Sequence, residues 1–414
     1  MMPITVGSKN RESQREGTDG RGLLAGVRVV DLSRALAGPT CTALLGDLGA
    51  EVIKVEGLPG GDGARSWSPF DGADSLYFAA INRNKRSVAL SLRHERARAV
   101  LERLIASADV LIENFRPGTL ARMGLAPEDL REKHPRLVIA SISGFGSRGP
   151  ERETPGLDQI AQGMSGLMSV TGFDSPTRVG VPIVDSITGV VGALAICAAL
   201  ASRERTGQGS HVETSLLETA MNMLSFQAQQ YLSLGEVPSG NGNDHPVIWP
   251  YGTFPTAGEE INIAAGSDAQ WTALCRVLGE PDLATREGYT TGPDRLARRE
   301  EVRAEVVRLL AARSAAEWIP ALREAGIPAG PVHSLDQVFA DPQVQALEMV
   351  TQVTTDAGKK LKLMRGPITV DGELPPVHSA PPALGRDSRA VLLDLGISDD
   401  ELDALIEAGV VGCG

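Results

Sequence analysis

Residues 26–56 read GVRVVDLSRALAGPTCTALLGDLGAEVIKVE, and three local signals follow one another inside them. The β-branched run of GVRVVDL (26–32) predicts a strand. PTCTALLGDLG (39–49) predicts a helix, with Pro39 in its first turn and Gly49 as its stop. AEVIKVE (50–56) returns to a strand. Strand, helix and strand in so short a span make a βαβ unit, which implies a parallel sheet with helices against its faces.

The alternation continues outward. KRSVALSL (85–92) predicts a strand, ERARAVLERLIASA (95–108) a helix and DVLIEN (109–114) a strand. Two short helices through Pro117 and Pro127 follow, then the strand of PRLVIASISGFG (135–146). The fold class is therefore α/β: a large Rossmann-like domain, with its N-terminal part over 23–225. The stretch beginning GEVPSGNGNDHPVIWPYGTFP (235–255) is rich in Gly, Pro and Asn, so residues 226–250 read as a linker or active-site loop. EINIAAG, DAQWTALCRVLG and two longer helical stretches (about 298–313 and 315–325) make a smaller α+β domain over 251–330. Residues 331–414 return to strands (MVTQVTT, KLKLMRGPITV) and end in two helices, DSRAVLLDLG and SDDELDALIEAGVV. They suit a C-terminal return to the large domain.

At 414 residues the chain suits two domains, and 42% hydrophobic with 22% charged residues is ordinary for a globular protein. A formal net charge of -12 argues against nucleic acid or an anionic membrane as partner. The longest apolar run is shorter than the ~20 residues of a membrane helix. Cys41, Cys197, Cys275 and Cys413 are far apart in sequence, with no CxxC pair, so neither disulfides nor a structural metal is expected. Residues 1–22 lack the apolar core of a signal peptide and read as a disordered tail. The expected location is the cytoplasm.

Several phosphate and metal motifs fail. The turn LSRALAGPT (32–40) sits where a dinucleotide-binding loop would, but it lacks the three-glycine spacing, despite Glu56 ending the second strand. GGDGAR (60–65) is a glycine cluster that reads as a loop, and no P-loop or HExxH follows anywhere. Basic residues are more suggestive: NRNKRS (82–87), Arg93 and ENFRPGTLARMG (113–124) cluster Arg and Lys near strand ends. Ligands of open α/β sheets bind at the carboxyl ends, and guanidinium groups there could hold the phosphates of a nucleotide-like ligand; an exposed basic rim is the alternative.

VPIVDSITG (181–189) precedes the apolar VVGALAICAALA. Asp185 at the mouth of such a segment reads as a helix N-cap. It also reads as a nucleophile among free N–H donors, which could stabilise an oxyanion on its own carbonyl. Both readings stay open on local grounds.

Longer blocks carry a resemblance. DLSRALAGPTCTALLGDLGAEVIKVE, NRNKRSVALSL, ADVLIENFRPGTLARMGL, VDSITG, RTGQGSHVETSLLE, GNDHPVIWPYGTF and GIPAGPVHSLDQVFADPQV together resemble the class III acyl-CoA transferases of the formyl-CoA transferase and carnitine CoA-transferase type, in order from about residue 23 to 411. The resemblance implies an interlocked homodimer, each chain with a large and a small domain. It makes Asp185 the nucleophile, which attacks a donor thioester and then carries CoA as an aspartyl thioester until a carboxylic acid resolves it. It places coenzyme A contacts on Leu36, Ala37, Leu90, Arg93, Asn114, Phe115, Arg116 and Arg122. Asp158, Asn243 and His245 are candidate substrate residues, with the loop 239–246 as a lid over the site. No metal is implied.

Two departures narrow the resemblance. Formyl-CoA transferases carry Gln where Leu36 stands and Tyr where Leu157 stands, so oxalate and formate are poor substrate expectations. The α-methylacyl-CoA racemases carry His where Leu157 stands; without it one of the two bases needed to move an α-proton is missing. Alternatives to a transferase are such an isomerase, or a silent CoA-binding protein in which Asp185 is only a cap. LSRALAGP and GNDHPVIWPY look closest to members moving CoA between dicarboxylic acids such as succinate and glutarate.

Overall fold

The structure is a computed structural model that describes residues 22–414. The tail expected over 1–22 therefore lies, except for Gly22, outside the described residues. The chain divides into two compact units. One comprises the chain up to Ser165, Gly180–Ser225 and Glu348–Gly414; the other comprises Gly166–Val179 and Phe226–Leu347. The boundaries differ from the expected ones in three ways: the short segment 166–179 leaves the first unit, residues 226–250, expected as a linker or loop, belong to the second unit and begin with the helix Ser225–Leu234, and the chain returns to the first unit at Glu348 rather than near 331.

The first unit is built on a parallel sheet. Its strands are β1 (Arg28–Asp31), β2 (Glu51–Gly57), β3 (Lys85–Leu90), β4 (Val110–Glu113), β5 (Val138–Ser143) and β6 (His211–Ser215). They lie in the order β3-β2-β1-β4-β5-β6, every neighbouring pair parallel. This is the doubly wound order of dinucleotide-binding folds. Helix α1 (Ala37–Asp47) joins β1 to β2, and α2 (Glu95–Ala106) joins β3 to β4. In α2, Ala97, Val100, Leu101, Leu104 and Ile105 are buried, the three- and four-residue spacing of one helix face. They share a core with Val30, Ile53, Val88 and Leu111 of the strands. Helix α3 (Asp158–Met164) and the 24-residue α4 (Ile183–Thr206) precede β6.

Three details correct the sequence reading. β6 was not expected: HVETS is polar and lies at the sheet edge, so it carries no apolar run to betray it. The last helix stops at Glu407, and after Gly409 in the left-handed conformation Val411–Gly412 pairs antiparallel with β3. Finally, α4 is long and apolar enough to cross a membrane by length and composition, against the expectation of no such segment. It packs within the first unit: its Gly189 abuts α1, and its Gly192 approaches Cys41 and Ile142.

The second unit holds a three-stranded antiparallel sheet of Tyr251–Phe254, Ile261–Ala264 and Ala329–Pro331, with Ile261–Ala264 central. Helices Asp268–Val277, Arg299–Leu310 and Ala315–Glu324 accompany it around a core that includes Trp249, Phe254, Trp271 and Trp318.

Candidate active site

Between β1 and β4 the strand order reverses, and in folds with this order ligands bind beyond the carboxyl ends of the strands at that point. The chain leaving β1 forms a tight turn there, with Ala35 at φ 66°, a left-handed conformation unusual for a side chain with a Cβ. Side chains from three other segments hold the turn. Asn114, just past β4, accepts the Arg34 N–H (2.8 Å) and donates to the Arg34 carbonyl (2.7 Å). Asp62 accepts the Ala35 N–H (3.0 Å), and Lys54 donates to the Ser33 carbonyl (2.9 Å). Leu36 and Ala37 then open α1, which has neither a side-chain cap nor an acidic residue in its first turn. Its first N–H groups point outward without helical acceptors.

Gly189 sets what stands beside this turn. A Cβ there would lie 2.7 Å from the Ala37 carbonyl oxygen and 2.8 Å from Thr40 Cβ, so only glycine permits α4 to approach α1 this closely. Asp185 lies four residues earlier on the same helix face, one turn nearer the start of α4. The glycine of DSITG thus seats the helix against α1, and the aspartate stands one turn nearer its start.

The expectation that Asp185 caps α4 is overturned. Pro182 occupies the cap position, and Asp185 is the third helical residue. The cap comes from α3: Asp158 Oδ1 accepts the N–H groups of Val184 (2.9 Å) and Asp185 (3.3 Å), while its Oδ2 accepts from Gln162 Nε2 (2.7 Å). Those N–H groups are therefore not free to stabilise an oxyanion on Asp185, as the sequence reading had them. The Asp185 side chain itself is half-buried and makes no hydrogen bond or ion pair among the described residues. Burial, and then the charge of Asp158, push its carboxyl up to about 7. A desolvated carboxylate without donors is a stronger nucleophile than a solvated one.

The sequence of CoA-transferase family III matches residues 24–388. The chain belongs to that family. It is 39% identical to the succinate–glutarate CoA-transferase of Agrobacterium fabrum, over 90% of this chain and 95% of that one. It is 38% identical to the acetyl-CoA:oxalate CoA-transferase of Acetobacter aceti, over 80% and 86%. A crystal structure of a CAIB/BAIF family protein from Brucella suis superposes with a TM-score of 0.80 at 38% identity, covering 90% of this chain and 99% of that one. The protein is a CoA-transferase.

In this CoA-transferase, Leu36 and Ala37 lie buried at the turn, and Asn114 and Phe115 are half-buried beside it. Arg34 lies over the Phe115 ring at 5.1 Å. Arg93, Arg116 and Arg122 are exposed after β3 and β4. Arg122 donates to Thr119 Oγ1 (2.8 Å), and none of the three forms an ion pair among the described residues. Leu90 differs. It is 0% exposed, packed in the core between β2 and the C-terminal strand, with its carbonyl taken by the Leu58 and Leu92 N–H groups. It has nothing to offer a ligand.

NRNKRS does not belong to the basic rim, because it lies at the amino end of β3. Arg83 pairs with Asp47, Arg86 with Glu51 (2.8 Å), and Lys85 is buried. Asn243 and His245 belong to the second unit. Asn243 is exposed. The His245 ring stacks on Phe226 and Tyr251, and its Nδ1 accepts from the Val247 and Ile248 N–H groups, which leaves the ring proton on Nε2. Gly240, in the loop expected as a lid, is a close-approach glycine: a Cβ would meet the Gly172 carbonyl oxygen at 2.4 Å. Arg299 further ties the loop through Asn241 (3.0 Å) and the His245 carbonyl (2.7 Å).

Sequence reasoning missed the charged layer beneath the turn. Lys54 pairs with Asp62 (2.9 Å), and Lys85 reaches Asp31 (3.4 Å), all four fully buried or nearly so. Thr42 Oγ1 and the Ser33 N–H and hydroxyl also bond Asp31. Burial pushes the Asp31 carboxyl up, but Lys85 and Lys54 outweigh it and hold the group below its ordinary value. Burial drives Lys85 down to about 8. Glu56, the residue a dinucleotide site would turn to a ribose, is occupied by Arg65 (2.7 Å), Ser87 (2.7 Å) and the Asp62 N–H (3.0 Å). The available signal was a charged residue inside strands that a buried parallel sheet should fill with apolar ones: Asp31 in RVVD, Lys54 and Glu56 in EVIKVEG.

Proposed function

We propose that this CoA-transferase moves CoA from an acyl-CoA donor to a dicarboxylic acid through an aspartyl-CoA thioester on Asp185. The observation that carries the reading is the Asp185 carboxyl: half-buried, without donors, and one helix turn from Gly189, which abuts Ala37. Its carboxylate attacks the donor thioester carbonyl and expels CoA thiolate, leaving a mixed anhydride. The thiolate then attacks the aspartyl carbonyl of that anhydride, which frees the donor acid and forms the aspartyl thioester. The acceptor carboxylate repeats the two exchanges in reverse, and Asp185 is regenerated. Over the whole cycle one CoA thioester is exchanged for another of similar energy, so no nucleotide is consumed.

The turn and the rim arginines Arg93, Arg116 and Arg122 are the proposed coenzyme A contacts, the guanidinium groups meeting phosphate. Dicarboxylic substrates are supported by the names of the relatives. One of those relatives is named for oxalate, so that acid belongs in the acceptor panel beside succinate and glutarate. The isomerase alternative is disfavoured by Leu157, 62% exposed beside Asp158 and unable to act as a base. The working unit of the proposal is a cytoplasmic homodimer of 43.6 kDa chains, supported by exposed Val190 and Leu194, four residues apart on α4. Sedimentation at the mass of a single chain would remove it.

Incubation with succinyl-CoA and no acceptor tests the chemistry. Intact mass should rise by one CoA, and borohydride or hydroxylamine trapping should place the adduct on the peptide containing VPIVDSITG. Absence of the adduct in an active preparation would rule out the covalent route, and an adduct that persists in Asp185→Asn would move it to another residue.

A further inference from the structure

The loop GGDGAR (60–65) has no part in the chemistry above, yet it is built to deliver one side chain. Gly61 sits at φ 72°, where a Cβ would strike Glu56 Oε2 at 2.8 Å, so glycine lets the loop fold back against the end of β2. The Asp62 N–H then donates to Glu56 (3.0 Å), and Arg65 clasps the same carboxylate (2.7 Å) while lying over the Phe78 ring at 3.8 Å. Anchored this way, Asp62 is buried, with Oδ2 on Lys54 (2.9 Å) and Oδ1 on the Ala35 N–H (3.0 Å).

We propose that Asp62 is a positioning residue for acyl-CoA: through the Ala35 N–H it holds the turn before α1 in the left-handed conformation that presents Leu36 and Ala37 to the ligand. Ala35 is the reason the turn needs a clamp. A residue with a Cβ leaves φ 66° readily unless its surroundings fix it. Lys54 completes the device, because the same ammonium that neutralises Asp62 holds the Ser33 carbonyl at the other side of Ala35. Asn114 fixes only Arg34, so releasing Asp62 frees the residue next to Leu36. The inference rests on the reading of this turn as a CoA contact.

Three variants separate positioning from plain structural support. Asp62→Ala, which removes the acceptor of the Ala35 N–H, should raise the KM for acyl-CoA about tenfold or more while kcat stays within about threefold, since the ligand must then order the turn on binding. Adding Ala35→Gly should restore most of that loss, because glycine takes the left-handed conformation without a clamp. Ala35→Val, which alters no charge, should raise the same KM by straining the turn, and it decides the matter should the Asp62 variant fail to fold. The inference is overturned if folded Asp62→Ala keeps the wild-type KM, if Ala35→Gly rescues nothing, or if Ala35→Val binds normally. Calorimetry of coenzyme A with the wild type separates the two layers. No binding there would overturn the CoA reading and the inference with it, whereas normal binding by all three variants would overturn the inference alone.

Discussion

Asp158→Asn tests how the protein sets the reactivity of its nucleophile. Asp185 is displaced from an ordinary 3.8 to about 7, by burial first and by Asp158 second. Burial is the larger of the two, so Asp158 accounts for less than half of the rise, about 1.5 pH units at most. The asparagine oxygen can still accept the Val184 and Asp185 N–H groups, so α4 keeps its cap. With the wild type, transfer should climb with pH through about 7, since only about a tenth of Asp185 is ionised one unit lower. In Asp158→Asn the midpoint should fall, by between about 0.5 and 1.5 units, and remain above the ordinary carboxylate value. Stability should move with it. A folded-state value above the ordinary one means ionising Asp185 opposes folding, so its cost is absent below about pH 4 and complete above about pH 7. That cost is at most about 4 kcal/mol in the wild type, and the substitution should return part of it at neutral pH. The assay is kcat/KM for succinyl-CoA with a dicarboxylic acceptor between pH 5 and 9, beside thermal melts at the same pH values. A folded variant whose midpoint stayed at that of the wild type, or rose, would refute the pairing of the two carboxylates.

Three further outcomes are expected. Gly189→Ala should cost about 1–3 kcal/mol by urea unfolding, because its Cβ meets a backbone oxygen of α1 that cannot swing aside, and acyl-CoA KM should rise as the helices part. Arg122→Ala should leave the melting temperature within error but weaken coenzyme A binding and flatten its dependence on salt, as loss of an exposed phosphate contact does. In deuterated buffer a 2-methylacyl-CoA should not exchange its α-proton at a catalytic rate; enzyme-dependent exchange read by mass spectrometry would favour an isomerase.

The large sheet was legible because parallel strands are buried on both faces and so write near-continuous apolar runs, as in VVD, VIKVE and VLIE. Where burial lapsed, legibility lapsed with it. Edge strand β6 carries His211 and Glu213 and gives no run, and the terminal Val411–Gly412 is too short to interrupt a helical pattern. Charge at strand ends was misread for a related reason. NRNKRS looks like part of a basic rim, but the position of a charge along its strand decides whether it meets the ligand end of the sheet. The sequence has no marker for that until the strand boundary at Lys85 is known.

Asp185 shows how far a local pattern can carry a site. Its place before an apolar run did locate a helix start, yet the start falls three residues earlier, which turns the aspartate from cap into third helical residue. That shift changes its chemistry. A cap aspartate is held by backbone N–H donors, which favour the charged form and keep a carboxylate weakly basic. Here Asp158, 27 residues away, takes those donors instead, and Asp185 is left desolvated beside a second negative charge. No periodicity in the chain could announce this division of labour, because it is made by the packing of α3 against the end of α4. If the division is real, the two aspartates are not interchangeable. Moving the carboxylate by the pair Asp158→Asn and Asp185→Asn should give one variant that transfers CoA with a shifted pH profile and one that transfers none. Equal residual activity in the two, with deamidation excluded by mass, would mean that either carboxylate can serve and that the cap is incidental.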